Sequence, residues 1–451
     1  MSSCRALRRA APALALLLFA AAPALGATKV QAVASPGGIV AWLVEDHSLP
    51  VVTLDVSFRG GAALDPADKS GLATLTADLL DEGAGELDSE AFQGRLEDLA
   101  ASLDIEAGED DIGVSLRSIT ANLAPSLRLL HLALTAPRFD AAAVARVRGQ
   151  LLGELEREQH QPQYISARLW FRNAFGGHPY ARPRQGTPES IARIGVDDMR
   201  ALVKSRFARD AILIGVVGDV TPETLKPLLD QTFGDLPARA GAVAVPEAAA
   251  AARAPLLLAR LPIPQSVVTF GQPGIKRDDP DWYAAYVVNH ILGGGGFSAR
   301  LTQEVRVKRG LAYSVYSALE PLRRAGLIIG GVASENARVA ESIDVIRAEW
   351  RRMREDGPTA QELADAKTYL TGSYPLNLDS TARIAATLVG IQRDGLGIDY
   401  LDRRNALIDA VTLADAKRVA RTLLDPDRLS FVVVGSPESL PGAEEAPPDG
   451  G

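Results

Sequence analysis

The chain has 451 residues, 47% of them apolar and 23% charged, with a net charge of −8. It holds one cysteine, Cys4, and five histidines at 47, 131, 160, 178 and 290, no two within five residues of each other. This excludes a disulfide scaffold, a cysteine-rich zinc or iron–sulfur module, a c-type haem and a helix bearing two closely spaced histidine ligands. The negative charge also argues against a nucleic-acid partner or an anionic membrane surface.

Residues 1–26 carry Arg5, Arg8 and Arg9, then an apolar run from Ala10 to Leu25 that ends in small residues. They read as a secretory signal, too short and too rich in Ala and Pro to favour a permanent span. An N-terminal anchor is the competing reading. Cys4 precedes the run, so it is not placed for lipid attachment, and it leaves with the signal. Three arginines leave too, taking the charge from −8 to −11. A chain without cysteine suits an oxidising compartment, and export to a periplasm is expected, without stable membrane insertion.

Beyond the signal, residues 39–43 and 51–58 predict strands, followed by a Gly60-Gly61 loop and a helix over 71–80. A helix over 89–102 with Ser89 as its cap comes next, then a strand over 112–119. Helices follow over 124–134, 141–159, 166–175 and 190–207. A strand over 211–217 and a helix over 221–233 capped by Thr221 complete the first half. Residues 239–255, rich in Ala and Val with two prolines, read as a linker, able to act as a hinge between halves or as part of a contact surface. The second half predicts a strand over 266–271, a helix over 281–292, a loop at 293–296 and a helix over 301–310. Strands over 311–319 and 325–333 are followed by helices over 337–355, 359–370, 381–394 and 413–423, and by a strand over 429–434. Residues 441–451 read as a disordered tail.

The two halves repeat. Ala211-Ile-Leu-Ile-Gly-Val-Val217-Gly-Asp parallels Leu429-Ser-Phe-Val-Val-Val-Gly435-Ser, each behind a helix of similar character. The expected fold is α+β, an internal duplication in which each half is a mixed sheet packed with long helices. The boundaries are a signal at 1–26, halves at 27–238 and 256–440, a linker at 239–255 and a tail at 441–451.

In the second half, Leu292-Gly-Gly-Gly-Gly-Phe-Ser-Ala-Arg-Leu301 is followed by Glu304-Val-Arg-Val-Lys-Arg-Gly-Leu-Ala-Tyr-Ser-Val-Tyr316. These segments resemble the second half of the pitrilysin-like (M16, insulinase-like) peptidases. The likeness extends in order over nearly all of the chain after the signal, including Phe58-Arg59-Gly60-Gly61-Ala62 and Gly71-Leu72-Ala73. It implies duplicated halves that close like a clamshell around a peptide. Active members carry His-x-x-Glu-His on the helix after the Gly-Leu-Ala. Two histidines one turn apart can grip one Zn²⁺, and the Glu polarises its water. The matching positions here are Thr74, Ala77 and Asp78. Glu154, 76 positions after Asp78, falls where the family places a further ligand. Taken alone, Glu154 reads as a solvated helix carboxylate, and the scattered histidines share no helix face with it. The resemblance therefore implies no metal held by this chain and no activity alone.

The resemblance also implies a role for Arg306 and Tyr313, seven positions apart. In the family this pair reaches across the cavity and hydrogen-bonds the substrate backbone near the scissile carbonyl. A guanidinium and a phenol are suitable donors to a carbonyl oxygen on which charge develops. Without the family pattern they read as a surface Arg and a strand Tyr. Gly293, Gly294, Gly295 and Gly296 are expected to form a loop of the substrate chamber. A nucleotide loop is disfavoured because the run follows a helix and no Lys-Ser/Thr comes after it. Arg300 reads as a structural ion-pair residue, and Trp282, Tyr283, Tyr286 and His290 as core.

A chain that keeps the oxygen-stabilising pair and lacks the metal resembles the non-catalytic subunit of a heteromeric M16 zinc peptidase. The implied partner bears His-x-x-Glu-His and its zinc, as a heterodimer or a dimer of heterodimers, around a peptide substrate. The alternative is a structural or peptide-binding M16-like scaffold without catalytic contribution. A hydrolase with another nucleophile finds no support, since no Gly-x-Ser-x-Gly elbow is present.

Overall fold

The computed structural model describes residues 29–241 and 244–448, so the signal-like segment 1–26 lies outside it. The first half runs β1 (Gln31–Ala34), β2 (Val40–Glu45), β3 (Val51–Arg59), α1 (Leu72–Ala77), α2 (Ser89–Asp98), β4 (Ser102–Ala107), β5 (Asp111–Ile119), α3 (Leu123–Thr135), α4 (Ala141–Glu158), α5 (Pro162–Phe175), α6 (Pro188–Arg193), α7 (Val196–Arg206), β6 (Ile212–Gly218) and α8 (Pro222–Phe233). The second runs β7 (Leu256–Arg260), β8 (Gln265–Pro273), α9 (Trp282–Asn289), β9 (Ala312–Leu322), β10 (Ala325–Glu335), α10 (Val339–Asp356), α11 (Ala360–Gly372), α12 (Thr381–Arg393), α13 (Tyr400–Asp409), α14 (Leu413–Leu423), β11 (Ser430–Gly435) and β12 (Glu444–Glu445).

Each half builds one six-stranded mixed sheet, in the order β1-β2-β6-β3-β5-β4 and β12-β7-β11-β8-β10-β9. The duplication is visible in the pairing. β6 is parallel to β2 and antiparallel to β3, as β11 is to β7 and β8. β6 (ILIGVVG) and β11 (SFVVVG) are continuous apolar runs because helices or strands cover them on every side. The outermost strand is recruited from opposite ends of the two halves: β1 precedes its sheet, whereas β12 follows its own.

Several elements differ from the sequence expectation. The helix expected over 89–102 ends at Asp98, and its last residue opens β4; Asp88, not Ser89, caps it, accepting from the Ala91 amide at 2.9 Å. The helix expected over 190–207 is two helices, broken at Gly195, whose amide is taken by Asp198 at 2.9 Å. The tail expected to be disordered adds Glu444–Glu445 to the sheet, with Glu445 bonded to Arg260 at 2.7 Å.

The halves exchange helices. α5 of the first half packs Ile165, Leu169, Trp170 and Phe175 against Ala259, Leu327, Val432 and Val434 of the second sheet. α12 of the second half packs Ala385 and Leu388 against Val44 and Val217 of the first sheet. Each sheet carries a glycine that admits the foreign helix. A Cβ on Gly215 would stand 2.5 Å from the Ala385 carbonyl oxygen, and one on Gly271 2.6 Å from Trp170 Cζ2. Polar contacts repeat the exchange, Thr53 to Thr381 and Ser166 to Thr269, both at 2.8 Å.

The segment between the halves is strapped down rather than hung as a hinge. Asn173 at the end of α5 donates to the Ala254 carbonyl at 2.8 Å and accepts from the amides of Arg253 and Ala254 at 3.1 and 3.0 Å. The Ala248 amide donates to the Arg324 carbonyl at 2.8 Å. Beside it, the Tyr180 hydroxyl donates to Asp110 at 2.7 Å, and Arg323 pairs with Asp111 at 2.8 Å. No helix among the described residues is long and apolar enough to cross a membrane.

Candidate functional site

An open cleft of about 610 Å³ lies on the second half, lined by Trp282, Asn289, Gly293, Phe297, Arg306, Tyr313 and Tyr316 among others. Two π-helical turns shape it, His290–Gly294 and Thr302–Val307, the latter replacing the helix expected over 301–310. The Lys308 amide reaches back to the Gln303 carbonyl at 2.9 Å, the five-residue bond of a π turn. Such turns are rare and concentrate at functional sites.

The glycine run is required by a close approach. A Cβ on Gly293 would sit 2.3 Å from Ser317 Oγ and 2.7 Å from the Ser317 amide nitrogen, so the loop lies directly on β9. Asn289 fixes it there, donating to the Ser317 carbonyl at 3.1 Å and accepting from Ser317 Oγ at 2.8 Å. His290 stacks on Tyr369 at 5.2 Å, and burial lowers its pKa. Arg300 forms a fork with Glu362 at 2.6 and 2.7 Å and donates to the Gly357 carbonyl at 3.0 Å. Burial works to raise the Glu362 pKa, but the hydrogen bonds from Arg300 and Thr359 prevail and hold it at about 2. Arg300 is therefore a brace beneath the loop.

Arg306 and Tyr313 are brought together. The guanidinium carbon lies 4.2 Å from the Tyr313 ring centroid and 4.7 Å from that of Phe297, sandwiched between the two rings. Glu304, two residues before Arg306 in the same turn, is bound by Lys308 at 2.6 Å and Arg309 at 2.5 Å, which lower its pKa and pin the turn. Tyr313 is 82% exposed. Among the described residues neither the guanidinium nor the phenol hydrogen-bonds to another group of the chain, so their donors face the cleft and solvent.

The first-half positions form no ligand set. The Thr74 hydroxyl donates to the Arg184 carbonyl at 3.0 Å, and Ala77 is buried in the core. Asp78 closes α1 and faces Glu154 of α4. Partial burial, then Glu154, Asp81, Glu106 and Asp104, push its carboxyl up to about 6. A zinc site of this family needs imidazole nitrogens there, and a hydroxyl engaged elsewhere, a methyl and two mutually repelling carboxylates do not fit the ion. Among the described residues no group of three or more His, Cys, Asp or Glu is placed to hold a metal. His131 and His178 are tied to the carbonyls of Thr232 and Pro246, both at 3.0 Å, far along the chain from α1.

Two sheets of equal order, exchanged helices and a glycine-lined cleft beside an exposed Arg–Tyr pair define an M16-type architecture. The family model of the peptidase M16 inactive domain matches residues 193–370. A non-peptidase homologue, YmxG, of Helicobacter pylori is 27% identical over 393 residues, covering 87% of this chain and 90% of that protein. The beta subunit of a mitochondrial-processing peptidase from Lentinula edodes is 24% identical over 438 residues, covering 94% and 93%. A crystal structure of a peptidase M16 inactive domain from Pseudomonas fluorescens superposes with a TM-score of 0.85 at 29% identity, over 93% of this chain and 99% of that one. The fold is that of the M16 inactive-domain structure, and over both halves the chain is similar to proteins described as inactive or non-peptidase.

Sequence reasoning missed Phe297 as the second ring on Arg306; an aromatic directly after four glycines was the available signal. It also missed the ring of aromatics around Arg277 and Arg404, whose members come from two separate segments, 282–286 and 374–400.

Proposed function

We propose that this chain is a non-catalytic subunit of a heteromeric M16-type zinc peptidase. It completes the peptide chamber and offers Arg306 and Tyr313 to the substrate carbonyl, opposite a partner that bears His-x-x-Glu-His. The observation that carries this reading is selective. The first-half positions hold no metal-ligand set, while Arg306 and Tyr313 stand stacked and exposed at an open cleft. A stacked guanidinium and an exposed phenol on the wall of one cleft are two donor groups of the kind that can serve a substrate carbonyl oxygen. A relative named as a subunit of a processing peptidase supports assembly with a second chain.

The test mixes the purified chain with its His-x-x-Glu-His partner and measures peptide hydrolysis. The partner alone is expected to be slow and the mixture fast. Tyr313→Phe lowers kcat by about 10²-fold, the usual cost of one donor to a developing oxyanion, with a small change in KM. A mixture no faster than the partner alone overturns the proposal. Similarity to a non-peptidase homologue supports a second reading, a peptide-binding scaffold. In that case peptide binds the isolated chain, and Tyr313→Phe leaves turnover unchanged in any complex the chain enters. The same proposal sets the chain in the periplasm, and N-terminal sequencing of fractionated protein is expected to begin near residue 27.

A further inference from the structure

A second, smaller cavity of about 320 Å³ shares Trp282 and Tyr286 as a common wall with the chamber cleft. Arg404 of α13 lies on its wall and is only 7% exposed. Its guanidinium stacks on Tyr374 at 3.8 Å. Nη1 donates to the Leu370 carbonyl at 3.0 Å and to Asn405 Oδ1 at 3.1 Å. Among the described residues no carboxylate pairs with Arg404, and its Nε and Nη2 have no hydrogen-bond partner. A buried cation without a counter-charge is costly to keep, and an anion placed against it would offset that cost.

Arg277 stands on the same wall, 4.7 Å from the Trp282 ring and 3.0 Å from the Tyr400 hydroxyl. Among the described residues Asp394 is the one carboxylate lining the cavity, and it is drawn to Arg277 at 3.7 Å and to Arg393 at 3.6 Å. Two guanidiniums against one carboxylate, inside a chain of net charge −8, make this a cationic aromatic pocket on an acidic protein.

We infer that this cavity binds the free C-terminal carboxylate of a peptide whose last residue is aromatic or large and apolar. Arg404 takes the carboxylate, and the rings of Trp282, Tyr286 and Tyr374 hold the side chain. The volume is at the small end of ligand sites, enough for one terminal residue. A planar guanidinium on an aromatic floor recognises a carboxylate by two parallel hydrogen bonds, which a neutral amide cannot accept. That the carrier is a peptide rests on the chamber reading above; the carboxylate site does not.

The test is calorimetric titration of the full isolated chain with N-acetyl-Ala-Ala-Phe as the free acid and as the C-terminal amide. The acid is expected to bind at least tenfold more tightly than the amide, and Arg404→Met to abolish that difference. Because Arg404 also holds the Leu370 carbonyl, Arg404→Lys is a second variant; it keeps the charge, loses the fork and is expected to narrow the difference. The acid–amide comparison needs no variant at all. Equal binding of acid and amide, no binding of either, or full discrimination in a folded Arg404→Met protein overturns the site. No partner chain is used, so failure here leaves the two-chain reading standing, and failure of partner activation leaves this site standing.

Discussion

Asp78, at the end of α1, stands among other carboxylates, and its surroundings set its chemistry. Partial burial first, then the charges of Glu154, Asp81, Glu106 and Asp104, lift its carboxyl from 3.8 to about 6. A raised carboxyl binds its proton more tightly in the native state than in the unfolded one. The destabilisation it causes is therefore absent below about pH 4, grows through the window from about 4 to about 6, and is complete above that. Asp78→Asn is expected to raise Tm at pH 8 and to change it little at pH 4, read by calorimetry at both. An equal change at the two values would mean the carboxylate carries no such penalty. At this scale the sequence was informative where chemistry is set by residue type, as at Thr74, Ala77, Asp78, Arg306 and Tyr313. It was silent on Arg404, whose stacking partner Tyr374 is chosen by geometry that no spacing reveals, whereas Phe297 had its signal in the glycine run before it.

The long elements were legible because their periods are strong. β3, β8, β10 and β11 and helices α4, α8 and α10 lie within a few residues of where alternation or a 3.6-residue stripe predicts them. β1, β4, β7 and β12 were not, since strands of two to six residues, at a sheet edge or next to one, gain their pairing from the neighbouring strand rather than from their own pattern. The turn at 301–310 was misread for a different reason: its composition is helical, and composition does not distinguish a π turn from an α turn. Gly293 is where the glycine run seats on β9. Its substitution by Ala places a methyl against the Ser317 backbone, which the β9–β10 ladder prevents from yielding. Gly293→Ala is expected to cost about 1–3 kcal/mol of unfolding free energy, typical of overpacking, and to abolish any activation of a partner. At Gly296 a Cβ meets open space and only the φ of +58° resists, so Gly296→Ala costs less, about 1 kcal/mol. Denaturant titration of the two variants side by side reads the order, and a reversed order would place the loop's constraint elsewhere.

At the scale of the molecule, the exchange of α5 and α12 makes the two halves one folding unit despite their separate sheets and separate cores. Without the second half, α5 would expose Ile165, Leu169, Trp170 and Phe175, all under 10% exposed in the intact chain. Each such side chain contributes about 1.5–3 kcal/mol on burial, so four are worth roughly 6–12 kcal/mol. That is comparable to the whole stability of an ordinary domain, about 5–15 kcal/mol. The second half loses the cover of α12 in the same way, and Asn173 loses the backbone groups it holds in the connecting segment. Residues 27–238 and 256–440 produced separately are therefore expected to show no cooperative unfolding, and to regain it when co-expressed. The intact chain is expected to unfold in a single transition with calorimetric and van't Hoff enthalpies in agreement. Two resolved transitions, or a half that folds alone, would show that the exchanged helices decorate two autonomous domains. A single transition would mean that a ligand held by the second half alone, at the cleft or at Arg404, stabilises the first half equally, because neither half can unfold without the other.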